Sequence, residues 1–292
     1  MSTRAKPRMQ WAHSIAWAVL GPVARRAARA YIAGNTLADA LAVRARCADG
    51  MKATIGYFNR MEDKPRYIAD QNLACLRAVA GTQDYVSVKL STLHYSRSLL
   101  NELVQVAAES QVRLHFDSLQ PETAESTLAT LRELLAGDVG CALGYTLPAR
   151  WQRSVEDACW LRQHRVSIRV VKGEWADPQA PNLDARTGFL RVIDALSAGA
   201  HHVAVASHDV TVASESLQRL LTKGVSCEWE LLYGLPTRSS IATARRLGVP
   251  VRIYIPYGQE MLRYAVNKVV RDPHILLFLT KDYLHSYFPQ TP

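Results

Sequence analysis

Eight short apolar runs that alternate with helical patterns constrain the fold of this chain most strongly. The runs begin roughly 25 to 35 residues apart, which is the length of one strand plus a return helix. Strands are predicted over Ala53 to Phe58, Tyr85 to Leu90, Arg113 to Asp117, Val139 to Tyr145, Ser167 to Lys172, His202 to Ser207, Ser226 to Leu232 and Val251 to Ile255. Eight such units predict an α/β fold, a closed (β/α)8 TIM barrel, with an open doubly wound sheet as the weaker alternative.

Amphipathic helical patterns fill the intervals between these strands. They run over Asn101 to Ser110, Thr123 to Leu135, Val155 to His164, Leu190 to Ala198, Glu215 to Thr222 and Ile241 to Leu247. Residues 1–30 are basic, contain Trp and predict an N-terminal helical extension. Glu260 to Arg271 predicts one more helix after the eighth strand, so we expect residues 31–292 to form a single barrel domain.

Composition favours a soluble, cytoplasmic protein. Of the residues, 48% are hydrophobic and 21% are charged, and there is no run of 18 apolar residues that would cross a membrane. The five cysteines are odd in number and never form a CxxC pair, which favours reduced thiols over disulfides or a metal site. The net charge of +9 comes from scattered arginines, which favours a solvated surface or an anionic cofactor over nucleic acid.

Polar residues stand at or near the ends of most predicted strands. They are Lys89, Asp117, Tyr145, Arg169, Lys172, Ser207, His208, Glu228 and Glu230. A charge inside an apolar strand costs several kcal/mol unless it is paired or meets a ligand. Ligands of a parallel barrel bind at the carboxyl ends of its strands. Each of these residues alone can be a local ion pair or a helix cap, but the set predicts an active site.

Four strings of residues resemble motifs of a known family. They are Arg169-Val-Val-Lys172-Gly173, Ala206-Ser207-His208-Asp209, Cys227-Glu-Trp-Glu-Leu-Leu-Tyr-Gly234 and Arg252-Ile-Tyr254-Ile-Pro-Tyr257-Gly258. In the same order they are similar to the Arg-Leu-Val-Lys-Gly, Ala-Thr-His-Asn, Phe-Glu-Phe-Gln-x-Leu-Tyr-Gly and Arg-x-Tyr-x-Pro-Tyr-Gly motifs of the flavin-dependent proline dehydrogenase family. The resemblance implies a distorted (β/α)8 barrel that binds FAD noncovalently.

The resemblance also implies roles for individual residues. Arg169 is expected near N5 of the flavin ring, and Ser207 and His208 are expected near the ribityl-pyrophosphate part. Lys89 and Asp117 would form a polar floor under the substrate, with a plain ion pair between them as the alternative. The predicted catalytic residues are Lys89, Asp117, Arg169 and Tyr254. The predicted cofactor-binding residues are Tyr145, Arg169, Val171, Lys172, Gly173, Trp175, Ser207, His208, Glu228 and Leu231.

The substrate side departs from the family pattern. The last helix of the family carries Tyr-x-x-Arg-Arg-x-x-Glu, whose arginine pair clamps the carboxylate of proline, but this chain has Tyr264-Ala-Val-Asn267-Lys268-Val-Val-Arg271. Lysine offers a point charge without the bidentate fork of arginine, and losing such contacts costs on the order of 2 to 5 kcal/mol of binding. The predicted substrate-binding residues are Tyr257, Tyr264, Asn267, Lys268 and Arg271.

Further departures lie on other strands and loops. Leu143 and Glu230 each replace a Gln, Glu174-Trp175 replaces Ala-Tyr, and Asn59-Arg60 replaces Gly-Glu. We therefore expect an FAD-dependent oxidoreductase that removes a hydride next to an amine nitrogen from a modified amino acid, an amine or a hydrazine in a biosynthetic pathway. Its electron acceptor is left open among a quinone, a carrier protein and oxygen.

Two alternatives to this function stay open, together with one question of location. The chain is an ordinary L-proline dehydrogenase that forms pyrroline-5-carboxylate, or it is a catalytically inactive barrel that serves as a binding subunit. The apolar stretch from Ile275 to Phe288 is compatible with a membrane contact and equally with a helix that closes the barrel.

Overall fold

Eight parallel strands close into one barrel in the computed structural model, which describes residues 33–48, 50–137 and 139–260. The strands are β1 (Lys52–Tyr57), β2 (Tyr85–Val88), β3 (Leu114–Phe116), β4 (Leu143–Pro148), β5 (Ser167–Val171), β6 (His202–Ala206), β7 (Cys227–Leu232) and β8 (Val251–Tyr257). Each strand pairs with the next along the chain, and β8 pairs with β1 from Arg252 beside Lys52 to Tyr257 beside Tyr57. The predicted closed barrel is confirmed, and the open sheet is wrong.

Helices surround the barrel, and those after the first strand return the chain between consecutive strands. They are α1 (Leu37–Ala45), α2 (Pro65–Ala78), α3 (Arg97–Glu109), α4 (Pro121–Leu135), α5 (Ser154–Leu161), α6 (Ala185–Ser197), α7 (Val210–Thr222) and α8 (Arg238–Leu247), with a short 3-10 helix at Leu90–Leu93. Helix α1 precedes the first strand and begins with a capping box: Thr36 Oγ1 accepts the Asp39 N–H, and the Asp39 carboxylate accepts the Thr36 N–H. In the described part, no helix is long and apolar enough to span a membrane.

The other strands end within two residues of their predicted bounds, and β4 differs most from its prediction. Strand β4 begins at Leu143 rather than Val139 and continues to Pro148, because Gly140 turns the chain with a φ of +63° before the strand can start. The predicted N-terminal extension and the C-terminal helix lie outside the described residues, apart from Glu260 at the start of that helix. The same holds for the stretch from Ile275 to Phe288, and the domain division stays a prediction.

Side chains alternate between two environments along each strand. Those that face outward are apolar and pack under the helices, as Ile55, Val86 and Ile168 do, each at most 1% exposed. Those that face the barrel lumen are mostly polar, in contrast to the branched aliphatic layers that usually fill such a barrel. Buried polar lumen residues include Thr54, Tyr85, Ser87, His115, Thr146, Arg169, Glu228, Glu230 and Arg252.

A buried ion pair fills the amino-terminal part of the lumen. Arg252 Nε lies 2.7 Å from Glu228 Oε1, and the Arg252 guanidinium also donates to the carbonyl of Ala53 at 2.6 Å. The same guanidinium lies 4.3 Å from the ring centroid of Tyr85, and His202 Nε2 lies 3.2 Å from Glu228. Burial alone would raise the pKa of Glu228, but His202 and Arg252 outweigh it and hold that pKa well below its ordinary value.

Removing one partner of this pair is expected to cost much more stability than breaking an exposed pair. Arg252→Met should lower the free energy of unfolding by about 3 to 5 kcal/mol, because it leaves the Glu228 carboxylate buried without its main cation. Arg66→Met is the matched control: Arg66 pairs with Asp70 and Glu102 at the surface, and its loss should cost at most about 1 kcal/mol. Urea unfolding followed by tryptophan fluorescence measures both, and equal losses would contradict the prediction.

The depressed pKa of Glu228 predicts that the free energy of unfolding depends on pH. A carboxyl group with a lowered pKa in the folded state contributes stability that is complete above its unfolded-state pKa, about 4.5, and is lost as the pH falls further. We therefore expect the difference in unfolding free energy between the wild type and Glu228→Gln to narrow as the pH falls below about 4.5. Urea titrations between pH 7 and pH 3 measure this difference, and a constant gap would refute the prediction.

Candidate active site

Four side chains from four strands converge at the carboxyl-terminal end of the lumen. Asp117 stands at their centre, directly after β3, and one of its carboxylate oxygens accepts from Arg169 Nη1 at 2.8 Å. The other oxygen accepts from the Tyr254 hydroxyl at 3.2 Å and lies 4.0 Å from Lys89 Nζ. The four predicted catalytic residues therefore form one cluster, in which the carboxylate holds the three other groups together.

Arg169 is enclosed between two carboxylates. Its Nε lies 3.0 Å from Glu230 Oε1, in an ion pair whose N–H is not aligned as a hydrogen bond, and Nη1 donates to Asp117. Its Nη2 donates to Ser87 at 2.9 Å, and its guanidinium lies 4.9 Å from the Tyr254 ring centroid. Burial would lower the pKa of Arg169, but Glu230 and then Asp117 outweigh it, so the pKa is raised and the group stays charged.

Glu230 is in turn held by two hydroxyl groups. Its Oε2 accepts from the Tyr85 hydroxyl at 2.7 Å and from Thr54 Oγ1 at 3.0 Å, while its Oε1 faces Arg169. One oxygen thus accepts two hydrogen bonds, and the other faces a cation. Three strands thus orient one carboxylate towards the arginine.

Burial controls the protonation of the other two members of the cluster. Lys89 Nζ donates to the carbonyl of Tyr57 at 3.0 Å and lies 3.9 Å from the ring centroid of Phe58. Burial lowers the pKa of Lys89, with Asp117 opposing the shift. Burial raises the pKa of Tyr254 well above its ordinary value, and the Asp117 carboxylate raises it further. The tyrosine is therefore a hydroxyl donor, and the lysine is more easily deprotonated than an exposed one.

Glycine makes room for this cluster on β1. A Cβ atom at Gly56 would clash with the Tyr254 hydroxyl, so the tyrosine can approach Asp117 only because position 56 has no side chain. On β4, a Cβ atom at Gly144 would clash in the same way with Nδ1 of His115. His115 Nε2 pairs with Thr146 Oγ1 at 2.9 Å, and burial holds its pKa well below the ordinary value, so the ring is neutral.

The lumen positions beyond Arg169, at the ends of β5 and β6, are partly exposed and define an opening. Val171 and Ala206 are register partners that face the lumen, and both are half-buried, whereas Arg169 below them is buried. Small apolar side chains beside a buried cation fit the flat, polarisable ring of a flavin, whose electronics proteins tune with nearby charge. The residues present at this opening therefore fit the flavin that the sequence predicts.

Three of the predicted cofactor residues lie on the connection from β5 to α6. Lys172 is exposed, and Gly173 has a φ of +88° at a point where a Cβ atom would press against Pro148. Trp175 is 39% exposed, and its carbonyl accepts from Trp151 Nε1 at 3.1 Å, which ties this connection to the one after β4. These residues border the same opening from one side.

The two predicted cofactor residues at the end of β6 already have partners within the protein. His208 Nε2 accepts the Leu232 N–H at 2.9 Å, and its Nδ1 donates to the carbonyl of Pro236 at 3.2 Å. Ser207 Oγ accepts the Asp209 N–H at 3.1 Å. His208 therefore ties the end of β6 to β7 and to the loop before α8.

Four of the residues predicted to contact a ligand are not brought to the cluster around Asp117. Tyr145, Leu231 and Tyr257 occupy outward positions on their strands, and the Tyr257 hydroxyl donates to the carbonyl of Gln71 in α2. Glu228 faces the lumen but lies below the site, paired with Arg252. Side-chain alternation explains the first three, and the depth of the lumen explains the fourth. Four of the predicted substrate-binding residues, Tyr264, Asn267, Lys268 and Arg271, lie outside the described residues.

Sequence reasoning did not place several lumen residues in the site. Thr54, Tyr85, Ser87 and Thr146 each donate to or accept from a member of the cluster or its carboxylates. A signal for them does exist in the sequence. Counting back by two from a predicted lumen residue reaches the next lumen position, so Lys89 leads to Ser87 and then to Tyr85.

Comparisons with known proteins agree with the predicted family. A sequence model described as proline dehydrogenase matches residues 33–266. The proline dehydrogenase of Deinococcus radiodurans is 25% identical over 279 residues, which cover 88% of this chain and 90% of that protein. Proline dehydrogenase 1 of Bacillus subtilis is also 25% identical, over 89% of this chain and 91% of that protein.

Solved structures of proline utilization A (PutA) contain a similar barrel. The protein from Bdellovibrio bacteriovorus matches with a TM-score of 0.72 at 18% identity, covering 89% of this chain and 34% of that one. The protein from Corynebacterium freiburgense matches with a TM-score of 0.68 at 18% identity, covering 86% of this chain and 31% of that one. This chain thus spans about a third of those two proteins, and the likeness shows the fold. The extent of the family match confirms the predicted enzyme class and cofactor: this chain belongs to the proline dehydrogenase family of FAD-dependent oxidoreductases.

Proposed function

We propose that this chain oxidises an amine other than free L-proline. The observation that carries the proposal is the sequence Asn267-Lys268, which stands where the family motif has the arginine pair that clamps the carboxylate of proline. Asparagine brings no charge, and lysine brings a point charge without a planar fork. A modified amino acid, a simple amine or a hydrazine does not need that clamp.

The charge balance of the described site supports the same proposal. Lys89 and Arg169 are its cations, and Asp117 and Glu230 are its carboxylates, so the cluster as a whole is close to neutral when all four are ionised. Arg169 already pairs with both carboxylates and has little attraction left for a third. A substrate carboxylate would therefore find no free cation among these four residues.

The proposed cofactor site lies at the opening formed by the ends of β5 and β6. Val171 and Ala206 would face the ring, with Arg169 beneath it. Lys172 and the backbone around Gly173 would approach the more polar part of the cofactor, since cations and N–H groups are what a diphosphate needs. Trp175 would border the bound substrate and shield it from water, which suits a larger or less polar molecule than proline.

The residues of the cluster divide the work of amine oxidation. FAD, when bound, accepts the hydride that leaves the carbon next to the amine nitrogen. As the C=N bond forms, the nitrogen loses a proton, which Lys89 would accept in its neutral amine form, the form that burial favours. Asp117 holds Lys89, Arg169 and Tyr254 in their positions. The electrons then pass to an acceptor, for which a quinone, a carrier protein and oxygen are the candidates.

Ordinary L-proline dehydrogenase is the second candidate function. It is favoured by the relatives from Deinococcus radiodurans and Bacillus subtilis, which carry that name. In this case Lys268 and Arg271 would hold the carboxylate in place of the arginine pair.

Visible spectra distinguish these functions. The protein loaded with FAD should be yellow and should stay yellow under anaerobic L-proline, because the bidentate carboxylate contacts are missing. Pyrrolidine and L-proline methyl ester present the same ring without a carboxylate charge, and they should bleach the flavin at concentrations at which proline does not. The rate of bleaching at 450 nm is the measurement, with each compound titrated over the same range.

The other outcomes of this experiment are equally informative. If L-proline bleaches the flavin in preference to the two neutral analogues, the chain is an ordinary proline dehydrogenase. A protein that cannot be loaded with FAD would overturn the enzyme function and favour a binding subunit.

Removing the charge of the central carboxylate tests the proposed cluster. Asp117→Asn should lower kcat/KM for the best amine by at least about 100-fold, because Lys89, Arg169 and Tyr254 lose the group that orients them. Asp70→Asn is the matched control, since Asp70 is an exposed carboxylate on α2 that pairs with Arg66. Steady-state kinetics measure both variants, and similar values for them would contradict the proposed role of Asp117.

A further inference from the structure

Glu230 adds a negative charge directly beneath the proposed flavin site. The family motif that resembles this part of β7 has glutamine at that position, which carries no charge, so the charge is a feature of this chain. The carboxylate is 3% exposed and lies 3.0 Å from Arg169 Nε. A buried charge at this distance acts strongly because little water screens it.

The contacts of Glu230 direct its carboxyl group at Arg169. Tyr85 and Thr54 both donate to Oε2, which leaves Oε1 directed at the guanidinium. Tyr85 comes from β2 and Thr54 from β1, so neighbouring parts of the barrel fix the direction of the carboxylate. The remaining contacts of Arg169, with Asp117 and Ser87, fix the guanidinium from the opposite side.

We propose that Glu230 is a positioning residue that offsets the charge of Arg169 and thereby lowers the reduction potential of the bound FAD. The proposal rests on the flavin site described under the proposed function. Reduction adds negative charge to the flavin ring, and a cation nearby stabilises the reduced form. A carboxylate paired with that cation removes part of this stabilisation. The reduced cofactor consequently passes its electrons on more readily.

Glu230→Gln tests this proposal because it keeps the shape of the side chain and one acceptor oxygen but removes the charge. The midpoint potential of the bound FAD is measured anaerobically against reference dyes. We expect the potential to rise, with a shift of at least about tenfold in the equilibrium between oxidised and reduced FAD, which is about 30 mV for a two-electron couple. The dissociation constant of sulfite, an anion that adds to oxidised flavin, should fall in parallel.

Tyr85→Phe is the matched control. It removes one hydrogen bond to the same carboxylate and leaves every charge in place, so it loosens Glu230 without neutralising it. Its shift in potential should be smaller than that of Glu230→Gln. An equal shift would show that the geometry of the network, and not the charge, sets the potential, and would overturn the proposal.

Further outcomes separate this proposal from the proposed function. An unchanged or lowered potential in Glu230→Gln would overturn the tuning role while leaving the flavoenzyme intact. Glu230→Leu is a second uncharged variant and should raise the potential as well. If neither variant folds and holds FAD, Glu230 is a structural requirement and the tuning role is wrong. A wild-type protein that cannot be loaded with FAD overturns both proposals.

Discussion

The upper part of the barrel depends on one buried cation and its two carboxylates. Arg169 would be costly to bury alone, and the ion pairs with Asp117 and Glu230 offset that cost. Each carboxylate would be equally costly without further donors. Hydroxyl groups from Thr54 and Tyr85 satisfy Glu230, and those from Thr146 and Tyr254 satisfy Asp117. Side chains on most of the strands are therefore direct or indirect hydrogen-bond partners of one guanidinium.

The lumen combines two tasks at different depths. In the lower part, Arg252 pairs with Glu228 and donates to backbone carbonyls, and this arrangement serves the fold. In the upper part, Lys89, Asp117 and Arg169 form the cluster that we propose as the active site. Tyr85 links the two levels, because its ring lies over the Arg252 guanidinium while its hydroxyl donates to Glu230.

The sequence predicted the architecture well and the site in part. All eight strands were found because short apolar runs recur at the length of one strand plus a return helix, and the motifs pointed to the cluster around Asp117. Depth was harder to read: Glu228 and Glu230 lie two residues apart on β7 and both face the lumen, but the stagger of the closed barrel decides which side chains of the other strands stand at each level. The outward orientation of Tyr145 and Tyr257 was not read from the sequence, since a motif gives the identity of a residue without the face on which it lies.

The mutual pairing of the lumen charges has a consequence for how such an enzyme diversifies. A substitution at any one of them leaves a partner buried without its counter-charge. The effect of the substitution therefore depends on which residues stand at the other positions. Epistasis of this kind makes single substitutions of lumen residues costly and favours double substitutions that compensate each other. The connection after β5 carries Trp175 outside this network. New substrate ranges are therefore reached more easily by varying that rim than by altering the charges below it.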